Sequence, residues 1–308
     1  MISCDLVRQH PAHFLACTGL TVAEFDALLP AFTRAWEEYR KQTYLNDGGG
    51  KPKLPTCTDK LFFILFYYKV YPIQSAMGAI FGISQAQVCV WIHTLSPVLR
   101  RALGIEWCLP ERNPAKLKDV LAMFETLDFL IDGTERERQR PINRRDRKDC
   151  YSGKKHTYTY NNIVIVHEYD QHVVYLSQTY EGSWHDKAIC DEEEYTFPRY
   201  ATLQKDRGFQ GFEPDHTITY QPKKKPKHGD LTIGEKLFNR CISSSRIAIE
   251  HAISGIKRCR IIKDILRNTT LGFEDTVMEI ACALHNFRQK FRVKEEHVNI
   301  FDLLPSSQ

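Results

Sequence analysis

Residues 155–180 read KHTYTYNNIVIVHEYDQHVVYLSQTY, and the fold class turns on them. Two β-branched, aromatic runs, Lys155 to His167 and His172 to Tyr180, flank a four-residue EYDQ turn, which predicts a hairpin. Upstream, Asp128-Phe129-Leu130-Ile131-Asp132 is a short apolar strand stopped at Gly133. Downstream, a helix is expected to start near His185, with short strands at Tyr200 to Lys205 and Thr217 to Gln221. One long helix is expected from about Ile233 to Ile262, with Ile242, Ile249, Ile253 and Ile256 as its apolar stripe. Strand, hairpin, helix, strand, strand, helix is an α/β order with a mixed sheet.

The chain before about residue 110 has a helical texture. TVAEFDALLPAFTRAWEEYRKQ puts Phe25, Leu28, Leu29, Phe32 and Trp36 on one face, and Thr21 with Glu24 forms a capping box. The glycine- and proline-rich stretch NDGGGKPKLPTCT, residues 46–58, is expected to be a loop. An apolar helix follows from Asp59 to about Tyr71, where Pro72 stops it. Residues 72–95, PIQSAMGAIFGISQAQVCVWIHTL, then read as two short helices joined at Gly82. Ile83 plugs the corner, Ser84 caps the second helix, and Gly78 lets the two helices approach closely. Val88, Trp91 and Ile92 face inward. Gln85, Gln87 and His93 face out, where glutamines can reach base edges in a major groove. A bare αα-hairpin fits the same pattern.

The 308 residues suggest two domains, and 43% hydrophobic with 26% charged residues excludes wholesale disorder. A formal charge of only +4 means that any polyanion must be met by local patches. The longest apolar run, Leu61 to Ile73, is too short to span a membrane and contains Lys69. MISCDLVRQHPAHF lacks the form of a secretory leader. The ten cysteines are scattered, none in a CxxC pair, so reduced thiols are expected rather than disulfides or a zinc site.

Three acids stand out. Asp132 ends an apolar strand at IDGTE, Asp206 sits before a glycine turn in LQKDRGFQG, and Glu250 lies in RIAIEHAISGIKR. Buried unpaired, a carboxylate at a strand mouth is costly, so it is hydrogen-bonded locally or holds a metal. Singly, the aspartates also read as turn formers and Glu250 as the partner of Arg246 four residues before it.

Taken together and in order, IDGTE–QRP (131–141), YSGKKHT (151–157), GSWHD (182–186), KDRGFQG (205–211), PKKKPK with LTIGEKLFNRCISSSRIAIEH (222–251) and CALHNF (282–287) resemble the DDE-type transposases. The resemblance is to the Harbinger-like and bacterial insertion-sequence group, and the helix-turn-helix resembles the domain that precedes its core. It implies a ribonuclease-H-like mixed sheet with helices on both faces at 119–308, behind a helical DNA-binding domain at 1–118. It also implies Asp132, Asp206 and Glu250 as the catalytic, metal-binding triad. Phe209, where a tyrosine is common, and the heavily charged GTERERQRP are departures that do not touch the triad.

Cutting a phosphodiester requires an activated water and neutralised oxygens, which two Mg²⁺ (or Mn²⁺) ions about 3.5–4 Å apart supply. The triad's carboxylate oxygens are then expected within roughly 8 Å of one another. His185 and Asp186 open a helix, as a capping pair or as support for the acids. Basic patches flank the triad: Arg136, Arg138, Arg140, Arg144, Arg145, Arg147, Lys148, Lys154 and Lys155; Lys223, Lys224, Lys225 and Lys227; and Lys257, Arg260, Lys263 and Arg267 along one helical face. Arg140, Lys154, Lys155, Lys223, Lys224, Lys225, Arg246 and Lys257 are the expected contacts to double-stranded DNA, with Gln85 and Gln87 reading bases. A homodimer or larger homo-oligomer would pair two element ends, in the cytoplasm of a bacterium or the nucleus of a eukaryote. A nuclease without strand transfer and a non-catalytic DNA-binding protein are the competing readings.

Overall fold

The computed structural model describes residues 2–43 and 53–292; residues 46–52 of the expected glycine-rich loop lie outside them. In chain order the helices and strands are α1 (Cys4–Arg8), α2 (Pro11–Thr18), α3 (Val22–Thr43), α4 (Cys57–Val70), α5 (Gln74–Phe81), α6 (Gln85–Ile105), α7 (Leu117–Leu121), β1 (Asp128–Glu137), α8 (Arg144–Cys150), β2 (Tyr151–Ser152) and β3 (Thr157–His167). They continue with β4 (Val173–Leu176), β5 (Tyr180–Glu181), α9 (Asp186–Glu193), β6 (Thr202–Gln204), β7 (Ile218–Tyr220), α10 (Ile233–Ser245), α11 (Ile247–Ile256), α12 (Arg260–Lys263) and α13 (Phe273–Gln289). The chain forms two compact units, one of residues 1–109 with 255–291, the other built on 110–254.

In the helical unit, α4 is buried on every side from Leu61 to Tyr68, which marks it as the central helix. Thr56 and Asp59 form a capping box, so α4 begins two residues before the expected Asp59. The Thr21–Glu24 box is also formed, with N–H to side-chain distances of 2.7 and 3.2 Å. Helices α5 and α6 are bent by 96° around Gly82, which has φ +68°. A Cβ on Gly78 would lie 2.6 Å from the Ile83 carbonyl oxygen, which explains the small residue there. Residues 255–291 add α12 and α13, and Arg100 pairs with Glu279 of α13 at 2.7 Å.

In the other unit, β1 is central. It runs antiparallel to β3 from Phe129↔His167 to Glu137↔Thr159 and parallel to β6, which continues parallel to β7. The far edge of β3 carries β2, β4 and β5. The predicted hairpin is β3–β4, closed by His167 N–H to the His172 carbonyl at 2.9 Å, with a bulge at Ile165/Val166. From Asn161 to His167 every β3 residue is buried, as expected of a strand covered on both faces. Phe129 and Ile131 of β1 pack with Ile163, Ile165, Ile189, Leu203 and Phe209. Strand alternation sends the Asp132 side chain to the opposite face. The result is a mixed sheet with helices on both sides, as the sequence implied.

The expected single helix over 233–262 is instead three. Arg246 caps α10, α11 ends at Ile256, and α12 is a four-residue piece. No proline interrupts the stripe; near the end of α11 the chain packs closely on α13, where a Cβ on Gly255 would sit 2.2 Å from Nδ1 of His285. All ten thiols are unbonded, and no helix among the described residues is long and apolar enough to cross a membrane.

The hairpin turn carries a pH-sensitive group. Glu168 is buried and accepts a hydrogen bond from Gln204 Nε2 at 2.8 Å. Burial, then the charge of Asp128, push its carboxyl up to about 7. Ionising it therefore costs the folded state more than the unfolded one. The penalty, about 3 kcal/mol, is complete above pH ~7 and gone below ~4.5. Glu168→Gln is expected to raise stability in urea at pH 8 and to leave it unchanged at pH 4. Equal pH slopes for variant and wild type would rule this out.

Candidate active site

Asp132 and Asp206 are brought to one place by adjacent parallel strands. Asp132 lies two residues beyond the stretch of β1 that pairs with β6, and Asp206 lies two residues beyond the end of β6, capping a short 3₁₀ turn at Arg207–Phe209. The two side chains are held alike. Gly133 N–H donates to Asp132 Oδ1 at 2.9 Å, and Gly208 N–H donates to Asp206 Oδ1 at 2.5 Å. Their second oxygens face one guanidinium: Arg246 Nη2 is 3.4 Å from Asp132 Oδ2, and Nη1 is 4.0 Å from Asp206 Oδ2. Arg246 occupies the junction of α10 and α11, where its backbone ends one helix. It was expected on DNA; its charge is turned to the aspartates. Burial pushes the Asp132 carboxyl up to about 6, with Asp206 and Asp186 adding to the rise and Arg246 opposing it.

Asp186, the first residue of α9, is the site residue that sequence reasoning left undecided. Its Oδ1 accepts from Asn161 Nδ2 at 3.0 Å. A Cβ on Gly133 would lie 2.2 Å from that same oxygen, and a Cβ on Gly208 would lie 3.0 Å from Asp186 Oδ2. The glycines beside Asp132 and Asp206 are thus the space in which Asp186 sits. Burial raises its pKa, and Asp206 and Glu135 add to the rise while Asn161 and Lys154 oppose it. His185 makes no capping bond with its side chain. The available signal was the paired Asp-Gly and Asp-x-Gly spacing.

Glu250 stands apart. It is exposed in the first turn of α11, its N–H bonded to the Arg246 carbonyl at 3.2 Å, and its carboxylate has no partner among the described residues. Among those residues, no three of His, Cys, Asp and Glu are grouped so as to hold a metal ion. The donors nevertheless fit Mg²⁺ or Mn²⁺ in kind: they are oxygens only, and the space between Asp132 and Asp206 already draws a cationic side chain.

The basic residues divide. Arg136 is buried against Asn162 and Thr179, and Arg138 pairs with Glu181 at 2.5 Å, so both serve the sheet. Arg140, Lys154 and Lys155 are exposed. Lys223 and Lys225 reach Glu235 at 3.6 Å and Asp230 at 2.6 Å, and Lys224 is exposed. The expected helical face from Lys257 to Arg267 does not form, because α11 ends at Ile256, Arg260 pairs with Asp264 at 3.0 Å, and Arg267 lies over Tyr71.

In the helical unit, Ser84 caps α6 and Gln85 and Gln87 are exposed. Gln87 Oε1 accepts from the Ser84 N–H at 3.1 Å, completing a capping box. His93 is held by Asn268 and Phe273.

The family described as DDE superfamily endonuclease matches residues 131–286, and the helix-turn-helix of DDE superfamily endonuclease matches residues 52–105. The chain is 25% identical over 221 residues to a protein of Microchaete diplosiphon named "Probable transposase for insertion sequence element IS702". That alignment covers 71% of this chain and 76% of the relative. No solved structure matches the chain.

Proposed function

The chain belongs to the DDE superfamily of endonucleases, and on that premise we propose that it is a DNA transposase. It hydrolyses phosphodiester bonds at the ends of its element and joins the freed 3′-hydroxyl to target DNA. The observation that supports this most is the convergence of Asp132 and Asp206 on one guanidinium. Two Mg²⁺ or Mn²⁺ ions, held by Asp132, Asp206 and Glu250, would supply the activated water and the neutralised oxygens. The chain's own groups do the positioning. Gly133 and Gly208 fix one oxygen of each aspartate, which leaves the other directed at Arg246. Arg246 balances their charge and limits their repulsion. Arg140, Lys154, Lys155, Lys223, Lys224, Lys225 and Lys257 contact DNA phosphates, and two copies of the chain pair the two ends.

The test uses the full-length chain, Mg²⁺, and a supercoiled plasmid bearing the DNA that flanks its coding region. Cut ends with 3′-hydroxyls, followed by joined products, are expected. Cutting without joining would make the chain an endonuclease alone. Binding without cutting would make it a non-catalytic DNA-binding protein.

The two glutamines should separate in the same assay. Gln85→Ala is expected to relax base preference, at about 1–3 kcal/mol per good contact. Gln87→Ala is expected to cost about 0.5–1 kcal/mol of fold stability through the lost half of the cap, with a smaller effect on base preference. Unchanged footprints for Gln85→Ala would leave α5–α6 as scaffold only.

A further inference from the structure

Beside the start of α6 lies a notch of about 280 Å³ whose polar lining is Gln74, Ser75, Gln85, Arg267 and Asn268. Two of these come from the far end of the sequence, from the segment after α12, which packs in the helical unit. We propose that this notch seats a DNA backbone phosphate next to the bases that Gln85 faces. The DNA-contacting surface is then built jointly by the helix-turn-helix and residues 267–268. The inference rests on the reading of α5–α6 as a DNA-binding element.

Arg267 is fixed in place before any ligand arrives. Its guanidinium carbon lies 3.9 Å from the centre of the Tyr71 ring. Its Nη2 donates to the carbonyls of Tyr71 at 2.6 Å and Pro72 at 3.1 Å, and its backbone N–H donates to the Tyr71 hydroxyl at 2.7 Å. Nε and Nη1 have no partner among the described residues. A planar fork anchored through one nitrogen, with the N–H groups of the other two left, suits a tetrahedral oxyanion and loses little rotamer entropy on binding it.

The neighbouring residue ties this cation to the reading helix. Asn268 Nδ2 meets His93 Nε2 of α6 at 3.2 Å, and its Oδ1 accepts from the Thr270 N–H at 2.9 Å. Arg267 is therefore held at a set offset from Gln85 rather than on a free arm. The rest of the notch favours an anion. No carboxylate lines it, the first turn of α5 has no acidic residue, and Ile73 at the N-cap offers no side-chain acceptor to that turn's N–H groups.

The test is a salt series on the full-length chain with a random-sequence duplex of about two helical turns, read by fluorescence anisotropy. Arg267→Ala is expected to weaken binding about tenfold or more. It should also make the slope of log K against log salt shallower by about 0.9, the share of one phosphate. Because Arg267 also bridges Tyr71 and Pro72, a second variant guards against a folding defect. Ser75→Glu puts a carboxylate at an exposed position in the first turn of α5, where the dipole favours it, so the melting temperature should not fall. DNA binding should nevertheless weaken by at least as much as in Arg267→Ala. Wild-type affinity and slope in Ser75→Glu and in a folded Arg267→Ala would overturn the proposed seat while leaving the DNA-binding reading intact. A wild-type chain with no salt-dependent binding would overturn that reading itself.

Discussion

Asp132→Asn and Asp206→Asn are each expected to reduce Mg²⁺-dependent strand cutting by about a thousandfold or more, about 4 kcal/mol of transition-state stabilisation. Duplex binding should stay close to wild type. The reason is the proposed division of labour between two sets of residues: exposed cations and the α5–α6 element would meet DNA, whereas the two aspartates face each other across Arg246. An amide preserves shape and the bond from the following glycine's N–H but forfeits the charge that holds a hard cation. Loss of the fold is not expected to explain the result. Burial already disfavours the ionised form of Asp132, whose carboxyl is raised to about 6, so the neutral amide removes a cost present above that pH and absent below about 3.8. Plasmid nicking and anisotropy on the same preparations check both halves. Near-wild-type nicking by either variant would remove that aspartate from the site.

Local signals carried most of what was legible in the sequence. The hairpin of β3 and β4 follows from β-branched runs around a short turn, and the α5–Gly82–α6 corner follows from Gly78, Gly82 and Ser84, all read within a few residues. Illegible features depend on partners distant in sequence. The apolar stripe from Ile242 to Ile256 stays in helical register across the break at Arg246, so no local rule marks the point where α10 ends. Gly255 gives way to a histidine thirty residues on, and residues 255–291 join the N-terminal helices although their sequence runs on from the acids. The basic clusters are ambiguous in the sequence for the same reason. Charge runs do not reveal that Arg136 and Arg138 point into the sheet toward Asn162 and Glu181. Asp186 was visible as a residue but not as a member of the site, because its place is set by two missing side chains, those of Gly133 and Gly208.

Glu250→Gln is expected to abolish cutting as completely as the aspartate variants, whereas Asp186→Asn should lower it about tenfold, the usual scale for a group that supports a ligand rather than being one. The contrast runs against simple proximity. Asp186 touches the space of both glycines at the site, and Glu250 is exposed one turn beyond Arg246. Charge and position argue for the difference. Asp186 Oδ1 is already committed to Asn161, and its carboxylate fills the room left by Gly133, so it is expected to hold the Asp132–Gly133 and Asp206–Gly208 corners in register. Glu250 has a carboxylate with no partner among the described residues and follows Arg246 on the same helical side, where the helix is already interrupted. Gly133→Ala offers an independent check on Asp186, since its methyl would enter the place of the Asp186 carboxylate and should reproduce the Asp186→Asn loss without removing any charge. Cleavage assays of the three variants in Mg²⁺ and in Mn²⁺, with binding as the control, decide between the roles. If Asp186→Asn is inactive and Glu250→Gln cuts normally, the third acid of the site is Asp186, and Glu250 is a surface residue of α11.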